Sequence, residues 1–133
     1  TLVHPFTAKD TWEDLQNPNY VKVAIAREAG VSKDTTIGRA LYFSRSVIPY
    51  LRGVEQNEWL QQGKHFRHIG MYAYRADVLQ KITQLSPSLL EQSESLEQLR
   101  WLENGFTISV ALTHYASIGV DTPEDLQYAI SKL

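Results

Sequence analysis

The stretch Arg67-His68-Ile69-Gly70-Met71-Tyr72-Ala73-Tyr74-Arg75 alternates strictly between two kinds of side chain. Alternation with a period of two is typical of a half-buried strand, so the pattern predicts a strand over 67–75. One face is apolar, and we expect it to enter the core; it comprises Ile69, Met71 and Ala73. The other face offers an imidazole, a glycine and two phenols: His68, Gly70, Tyr72 and Tyr74. That second face either lines a cavity or covers a partly exposed sheet, because aromatic residues favour strands in both settings.

The composition is that of an ordinary globular domain, so we expect one domain over 1–133. The 133 residues are 43% hydrophobic and 21% charged, and cysteine is absent, which excludes disulfides and thiolate metal sites. A net charge of −2 argues against a nucleic-acid-binding protein, which normally carries a basic stripe. No apolar run approaches a membrane span and no signal peptide opens the chain, so a cytoplasmic location is expected. A start at Thr1-Leu2-Val3, without methionine, suggests part of a longer chain.

Further strands and helices are predicted on both sides of the alternating stretch. The predicted strands are 1–6, 20–25, 40–44 and 106–112. The predicted helices are 10–15, 76–85, 89–104 and a last helix that begins with Pro123. Segments 27–38 and 51–66 are polar, and we expect a long hairpin loop and an irregular surface excursion. Since strands and helices mix without strict alternation, the predicted class is α/β or α+β, with a mixed sheet and flanking helices.

Three polar clusters could carry chemistry, and each also has a purely structural interpretation. Asp121 precedes the last helix, where a carboxylate can bind a hard cation such as Mg²⁺ or only favour the helix dipole. Glu97 and Gln98 could hold sugar hydroxyls, or Glu97 could form a solvated ion pair with Arg100. Arg45 ends an aromatic strand, where it could bind a carboxylate or phosphate, or cover apolar rings. With no nucleophilic triad, HExxH spacing or glycine-rich phosphate loop, the residues alone do not indicate a reaction.

Five blocks of the sequence, taken in order, resemble one enzyme family. They are NPNYVKV (17–23), ALYFSRSVIPY (40–50), HIGMYAYR (68–75), ESLEQLR (94–100) and GVDTPEDL (119–126). Together they resemble the C-terminal half of 3-deoxy-manno-octulosonate cytidylyltransferase, or CMP-KDO synthetase, over nearly the whole chain. The resemblance implies the C-terminal part of a nucleotide-diphospho-sugar-transferase-like (Rossmann-like) fold, which carries the sugar site and a dimer-forming region.

The resemblance also implies a reaction and a set of residues. In this family CTP and KDO yield CMP-KDO and pyrophosphate, with Mg²⁺, on the way to lipopolysaccharide. The residues that match the family's KDO site are Arg45, His68, Tyr72, Glu97 and Gln98. Arg45 would suit the sugar carboxylate, and Glu97 and Gln98 its hydroxyls. Asp121 matches a family Mg²⁺ ligand, and segment 40–50 resembles the dimer-forming region, which implies a homodimer.

Two departures from the family pattern qualify these expectations. The family's N-terminal half, with its nucleotide loop and acidic motif, is absent, so we expect the isolated chain not to turn over CTP. Segment 27–38 is longer than the family's usual turn and lies near the expected dimer region. Two alternatives remain open. The chain could belong to a cytidylyltransferase for another acidic sugar, such as sialic acid, or be a non-catalytic sugar-binding or dimerisation module.

Overall fold

In the computed structural model of the 133-residue chain, the structure describes residues 1–27, 37–115, 120 and 123–131. The strands of this described part are β1 (Leu2–Pro5), β2 (Lys22–Arg27), β3 (Ile37–Ser44), β4 (Phe66–Ile69) and β5 (Ser109–Leu112). Its helices are α1 (Trp12–Gln16), the 3-10 helix η1 (Gln56–Gln62), α2 (Ala76–Ile82), α3 (Leu89–Glu94), α4 (Gln98–Glu103) and α5 (Pro123–Ile130). None of these helices is long and apolar enough to cross a membrane.

The strands form one mixed sheet that closes on itself in the order β1-β4-β2-β3-β5. Strands β1 and β5 run parallel, whereas the other neighbouring pairs are antiparallel. A mixed sheet with flanking helices confirms the predicted class. The closure was not predicted, because a period-two pattern identifies a strand but does not identify its neighbours.

The ladder between β2 and β3 contains a close backbone approach. A Cβ atom at Gly38 would lie 2.7 Å from the Cγ2 atom of Ile25 and 2.8 Å from the carbonyl oxygen of Ala26. Only glycine therefore fits here without displacing the neighbouring strand. The ends of the predicted loop 27–38 belong to these two strands, and residues 28–36 lie outside the described residues.

One core joins the closed sheet to α2 and α4. Its buried members are Val3, Val23, Ala40, Phe43, Ile82, Leu96, Leu99, Trp101, Ile108 and Val110. The alternation predicted for 106–112 is confirmed at its centre, since Ile108 and Val110 are buried while Thr107 and Ser109 are exposed. Burial of this apolar set is the main source of stability for a domain of this size.

Several local signals end or begin elements where the sequence predicts. The sequence offers Asp10 or Thr11 as the cap of α1, and the structure shows Thr11, whose hydroxyl accepts a hydrogen bond from the Asp14 backbone N–H. Gly105 has a φ of 78° directly after α4, in the left-handed region that glycine tolerates. Pro123 is the first residue of α5, where its missing N–H has no consequence.

The predicted strand 67–75 is shorter than expected, and its faces are not divided into a buried and an exposed side as predicted. Strand β4 ends at Ile69, where the Met71 N–H turns back to donate to the Ile69 carbonyl oxygen at 2.6 Å. Met71 is 62% exposed and Ala73 is exposed as well. The prediction that Met71 and Ala73 enter the core is therefore wrong.

Aromatic packing is the reason that His68 and Tyr72 of the other face are partly buried, while Gly70 and Tyr74 are exposed. The His68 ring lies edge-on to Phe43, with ring centroids 5.1 Å apart. The Tyr72 ring lies edge-on to Trp101 at 5.3 Å. Rings bury more surface than a methyl or thioether group and gain further from edge-to-face geometry, so burying these two side chains is favoured.

The predicted helix 89–104 is interrupted, so the prediction of one continuous helix is wrong. Ser95, between α3 and α4, adopts the left-handed conformation with a φ of 52°. The Leu96 N–H then donates to the Glu91 carbonyl oxygen at 3.2 Å, as at other helix C-termini. Leu89 is 75% exposed, although its spacing fits the apolar stripe of a single helix.

Segment 51–66 lies at the surface as predicted, since most of its side chains are exposed, but it is not irregular and is anchored to the fold. It contains η1, and its Trp59 and His65 side chains are only 2% and 1% exposed. Their rings stack with centroids 5.5 Å apart, and Trp12 and Tyr50 meet Trp59 edge-on. A few buried rings in a polar segment are enough to anchor it.

Candidate functional site

Four of the five predicted KDO-site residues line one open cavity of about 640 Å³. His68 and Tyr72 come from β4 and the chain that follows it, whereas Glu97 and Gln98 come from the start of α4. The remaining wall residues are Gly70, Pro87, Glu91, Gln92, Ser95 and Leu96. The fold thus brings together two short segments that are about 25 positions apart in the sequence.

His68 presents a neutral imidazole to the cavity. Its Nε2 atom lies 3.0 Å from the Thr1 hydroxyl oxygen, and its ring lies against Phe43 and Tyr72. Burial lowers the pKa of His68 to about 4. At neutral pH this side chain can therefore donate or accept a hydrogen bond but carries no charge.

Tyr72 presents a protonated phenol whose hydroxyl is buried. Its ring stacks on Tyr74 at 5.8 Å and meets Trp101 edge-on. Burial first, then Tyr74 and Glu97, raises the pKa of Tyr72, so the proton stays on the hydroxyl. Within the described residues no group hydrogen-bonds to this hydroxyl. A buried unpaired hydroxyl is unfavourable, and a ligand in the cavity can pair with it only if the surrounding wall shifts.

Glu97 and Gln98 form the wall opposite the rings. Glu97 is exposed at the position before α4, and its charge also raises the pKa of Tyr74, after the effect of burial. Gln98 is only 4% exposed. The possible ion pair between Glu97 and Arg100 is replaced by another: the Arg100 guanidinium binds both carboxylate oxygens of Glu91. Glu97 can therefore direct its carboxylate to a ligand with hydroxyl groups.

Arg45, the fifth predicted residue, lies behind the cavity wall. Its guanidinium donates to three backbone carbonyl oxygens: Nε to Glu94 at 2.7 Å, Nη1 to Pro18 at 3.0 Å and Nη2 to Ser95 at 3.3 Å. Ser95 lines the cavity, whereas Arg45 does not. In this geometry Arg45 supports the wall, and its role toward a sugar carboxylate stays a prediction.

Glu94, which the sequence patterns did not single out, connects α3 to the end of β3. Its carboxylate accepts hydrogen bonds from the Ser44 hydroxyl at 2.6 Å, the Arg45 backbone N–H at 2.9 Å and the Tyr42 hydroxyl at 3.4 Å. Burial raises the pKa of Glu94, but these hydrogen bonds outweigh it, so the pKa is lowered and the group is ionised at neutral pH. A second acid three positions before Glu97 was the available signal.

The burial of Lys22 was also not predicted. Its side chain is fully buried, and its Nζ atom donates to the Asn17 carbonyl oxygen at 2.9 Å. Burial lowers the pKa of Lys22 to about 8; the nearby Glu94 raises it, and Arg45 lowers it further. A lysine within an apolar strand was the signal in the sequence, because buried lysines are rare unless their charge is compensated.

A second, largely apolar cavity of about 640 Å³ shares Tyr72 with the first. Met71 and Ala73 border it, together with Val78 and Trp101. The side chains that were expected in the core therefore line an open apolar surface next to the predicted sugar site.

The predicted Mg²⁺ ligand cannot be placed against this geometry. Asp121 lies outside the described residues. Among the residues that the structure does describe, no three His, Asp or Glu side chains converge as metal ligands would. Asp121 as a metal ligand therefore stays a prediction.

Comparison with known proteins gives concordant results. A cytidylyltransferase family model matches residues 2–109. The 3-deoxy-manno-octulosonate cytidylyltransferase of Parabacteroides distasonis is 51% identical over 134 residues, which cover 100% of this chain and 50% of that protein. The protein of the same name from Porphyromonas gingivalis is 49% identical, over 100% of this chain and 49% of its own length.

A solved structure shows the same likeness in three dimensions. The structure of CMP:2-keto-3-deoxy-manno-octonic acid synthetase complexed with CTP superposes with a TM-score of 0.76 at 37% identity. The match covers 99% of this chain and 47% of that one. It agrees with the fold that the resemblance implied. The chain spans about half the length of the curated relatives that it matches.

Proposed function

We propose, because this chain belongs to the cytidylyltransferase family, that it forms the sugar-binding part of an enzyme that makes CMP-KDO and pyrophosphate from CTP and KDO. The observation that carries the proposal is the single cavity that collects His68, Tyr72, Glu97 and Gln98. The names of relatives about half identical to the chain support KDO, and the neighbour solved with CTP supports the nucleotide. The family resemblance supports the further proposal that this enzyme is cytoplasmic and supplies lipopolysaccharide synthesis.

The cavity residues bind and orient the sugar and do not attack it. In the proposed reaction the anomeric hydroxyl of KDO attacks the α-phosphorus of CTP, and pyrophosphate leaves. Glu97 can accept hydrogen bonds from sugar hydroxyls, while the Tyr72 hydroxyl can donate one. Gln98 can do both, and neutral His68 can do either. Holding the acceptor sugar in one orientation lowers the entropic cost of bringing it to the nucleotide.

The direct test uses the intact protein with CTP, Mg²⁺ and one sugar acid at a time, followed by pyrophosphate release. We expect turnover with KDO and little with sialic acid. In Gln98→Ala the KM for KDO should rise about tenfold, as for loss of one buried hydrogen-bonding group. Gln84→Ala, at an exposed position after α2, serves as the control. Turnover with sialic acid in place of KDO, or binding without turnover, would contradict the proposal.

We further propose that the isolated chain of 133 residues does not turn over CTP. The resemblance supports this, because the family's nucleotide loop and acidic motif have no counterpart in the sequence. The same pyrophosphate assay checks the statement. Steady turnover by the isolated chain would contradict it.

We also propose that Asp121 provides one carboxylate ligand to Mg²⁺, which would neutralise charge on the nucleotide phosphates. Its match to a family metal ligand supports this role. In the intact protein, Asp121→Asn should raise the Mg²⁺ concentration for half-maximal activity and weaken Mn²⁺ binding measured by electron paramagnetic resonance. Asp77→Asn, at an exposed position on α2, is the control. Unchanged Mn²⁺ binding by Asp121→Asn would exclude the role.

A homodimer through segment 40–50 is the last part of the proposal. Leu41 and Tyr50 in this segment are 50% and 73% exposed, which supports an interface because large exposed apolar groups mark contact surfaces. Leu41→Arg should therefore shift the intact protein toward monomer in analytical ultracentrifugation. Leu89→Arg, at a position that is 75% exposed on α3, should leave the mass unchanged. A monomeric unmodified protein would contradict the proposal.

A further inference from the structure

The turn between α3 and α4 determines where one wall of the cavity lies. Ser95, Leu96, Glu97 and Gln98 follow one another in this turn, and all four line the cavity. Ser95 has a φ of 52°, a conformation that residues other than glycine adopt infrequently. The hydrogen bond from the Leu96 N–H to the Glu91 carbonyl oxygen holds part of this shape, and contacts with the rest of the fold can hold the remainder.

Glu94 supplies those contacts through both its side chain and its backbone. Its carboxylate accepts from the Ser44 hydroxyl at 2.6 Å, from the Arg45 N–H at 2.9 Å and from the Tyr42 hydroxyl at 3.4 Å. Its carbonyl oxygen accepts from Arg45 Nε at 2.7 Å, and the next carbonyl oxygen, of Ser95, accepts from Arg45 Nη2 at 3.3 Å. The start of the turn is thereby joined to the end of β3 at two successive residues.

We propose that Glu94 is a positioning residue, which connects the turn to β3 and so sets Glu97 and Gln98 at their places in the cavity. Glu94 does not line the cavity, so it acts through the two residues that do. The kinetic consequence rests on the proposed function, whereas the structural consequence does not. Arg45 acts in the same unit, because its guanidinium is occupied by the carbonyl oxygens of the turn.

Glu94→Gln in the intact protein tests this inference with little change in shape. The glutamine oxygen can still accept from the Arg45 N–H, and its NH₂ group can donate to the Ser44 hydroxyl oxygen, so the substitution removes the negative charge and the charge-assisted hydrogen bond from Ser44. We expect the KM for KDO to rise about tenfold, as for the loss of one charge-assisted hydrogen bond next to a binding wall. The KM for CTP should stay within about twofold, because only the sugar wall moves.

Two control variants distinguish positioning from general stability. Val3→Ala removes buried volume from β1, where Val3 is 1% exposed and lines neither cavity. It should lower the melting temperature without raising the KM for KDO. Glu58→Gln, at an exposed position on η1, should change neither quantity. An equal rise of the KM for KDO in Glu94→Gln and Val3→Ala would overturn the inference.

Hydrogen–deuterium exchange of the substrate-free protein tests the structural step independently of activity. Amides of residues 95–99 should exchange faster in Glu94→Gln than in the unmodified protein or in Val3→Ala. Unchanged exchange would overturn the inference, and so would faster exchange with an unchanged KM for KDO. If the unmodified protein shows no KDO turnover, the proposed function fails while the exchange result still decides the role of Glu94. Should Glu94→Gln not fold, Ser44→Ala removes one donor and should cause a smaller change in the same direction.

Discussion

Replacing Tyr72 by phenylalanine should raise the free energy of unfolding of the ligand-free protein and, at the same time, weaken the binding of KDO. The Tyr72 hydroxyl is buried, and within the described part of the chain nothing hydrogen-bonds to it. Tyr72→Phe removes this hydroxyl but keeps the ring contacts with Tyr74 and Trp101. A sugar hydroxyl or carboxylate in the cavity would be the partner that the phenol lacks.

The magnitudes follow from the cost of an unpaired polar group and the value of a paired one. A buried hydroxyl without a partner costs about 1–3 kcal/mol, so we expect the free energy of unfolding to rise by about 1 kcal/mol in Tyr72→Phe. Loss of one hydrogen bond to the sugar costs about 1 kcal/mol, which corresponds to an increase of about fivefold in the KM for KDO. The two effects thus have opposite signs.

The assay compares urea unfolding without ligand and steady-state kinetics with KDO, both on the intact protein. Tyr74→Phe is the matched control, since Tyr74 is 41% exposed, stacks on the same ring and does not line the sugar cavity. Its free energy of unfolding should change by less than about 0.5 kcal/mol. If Tyr72→Phe lowers the stability and leaves the KM for KDO unchanged, the hydroxyl has a partner within the protein and the reasoning is refuted.

Three further predictions concern stability. The pKa of His68 is lowered to about 4, so the folded protein favours its neutral form. The stability that this adds is complete above pH 6.5 and is lost as the pH falls toward 4. His68→Gln should therefore reduce the fall in melting temperature over that pH range. Arg100→Gln should lower the melting temperature in a thermal scan, because the carboxylate of Glu91 loses its partner; an unchanged value would show that the pair contributes nothing. Leu99→Ala should lower the free energy of unfolding, measured in urea, by about 2–5 kcal/mol because Leu99 is fully buried. Leu89→Ala, at a 75% exposed position, should lower it by less than about 0.5 kcal/mol. Equal losses would contradict the assignment of the core.

Much of the fold could be predicted because its signals are local. The cap at Thr11, the left-handed Gly105 and the alternation around Ile108 each depend on residues a few positions apart. The faces of 67–75 could not be assigned in the same way. Alternation shows that two faces differ, but the burial of Tyr72 in place of Met71 depends on rings from distant segments.

The sequence predicted which residues form the candidate site better than it predicted how their side chains are arranged. Family resemblance identified His68, Tyr72, Glu97 and Gln98, and the structure gathers all four in one cavity. Nothing in the local sequence showed that the Arg45 guanidinium would hydrogen-bond to backbone carbonyl oxygens. Those acceptors come from two segments that lie far from Arg45 in the sequence.

The sequence by itself determined most strands and several helix ends of this protein, its family and most members of its candidate site. These features depend on residue type, on short-range periodicity and on blocks of similar sequence, all of which are present before folding. Only the tertiary structure decided that the sheet closes, that the chain turns at Ser95, and that His68 is uncharged. Each of these outcomes depends on which distant groups remove a side chain from water or hydrogen-bond to it, and that information exists only once the chain has folded.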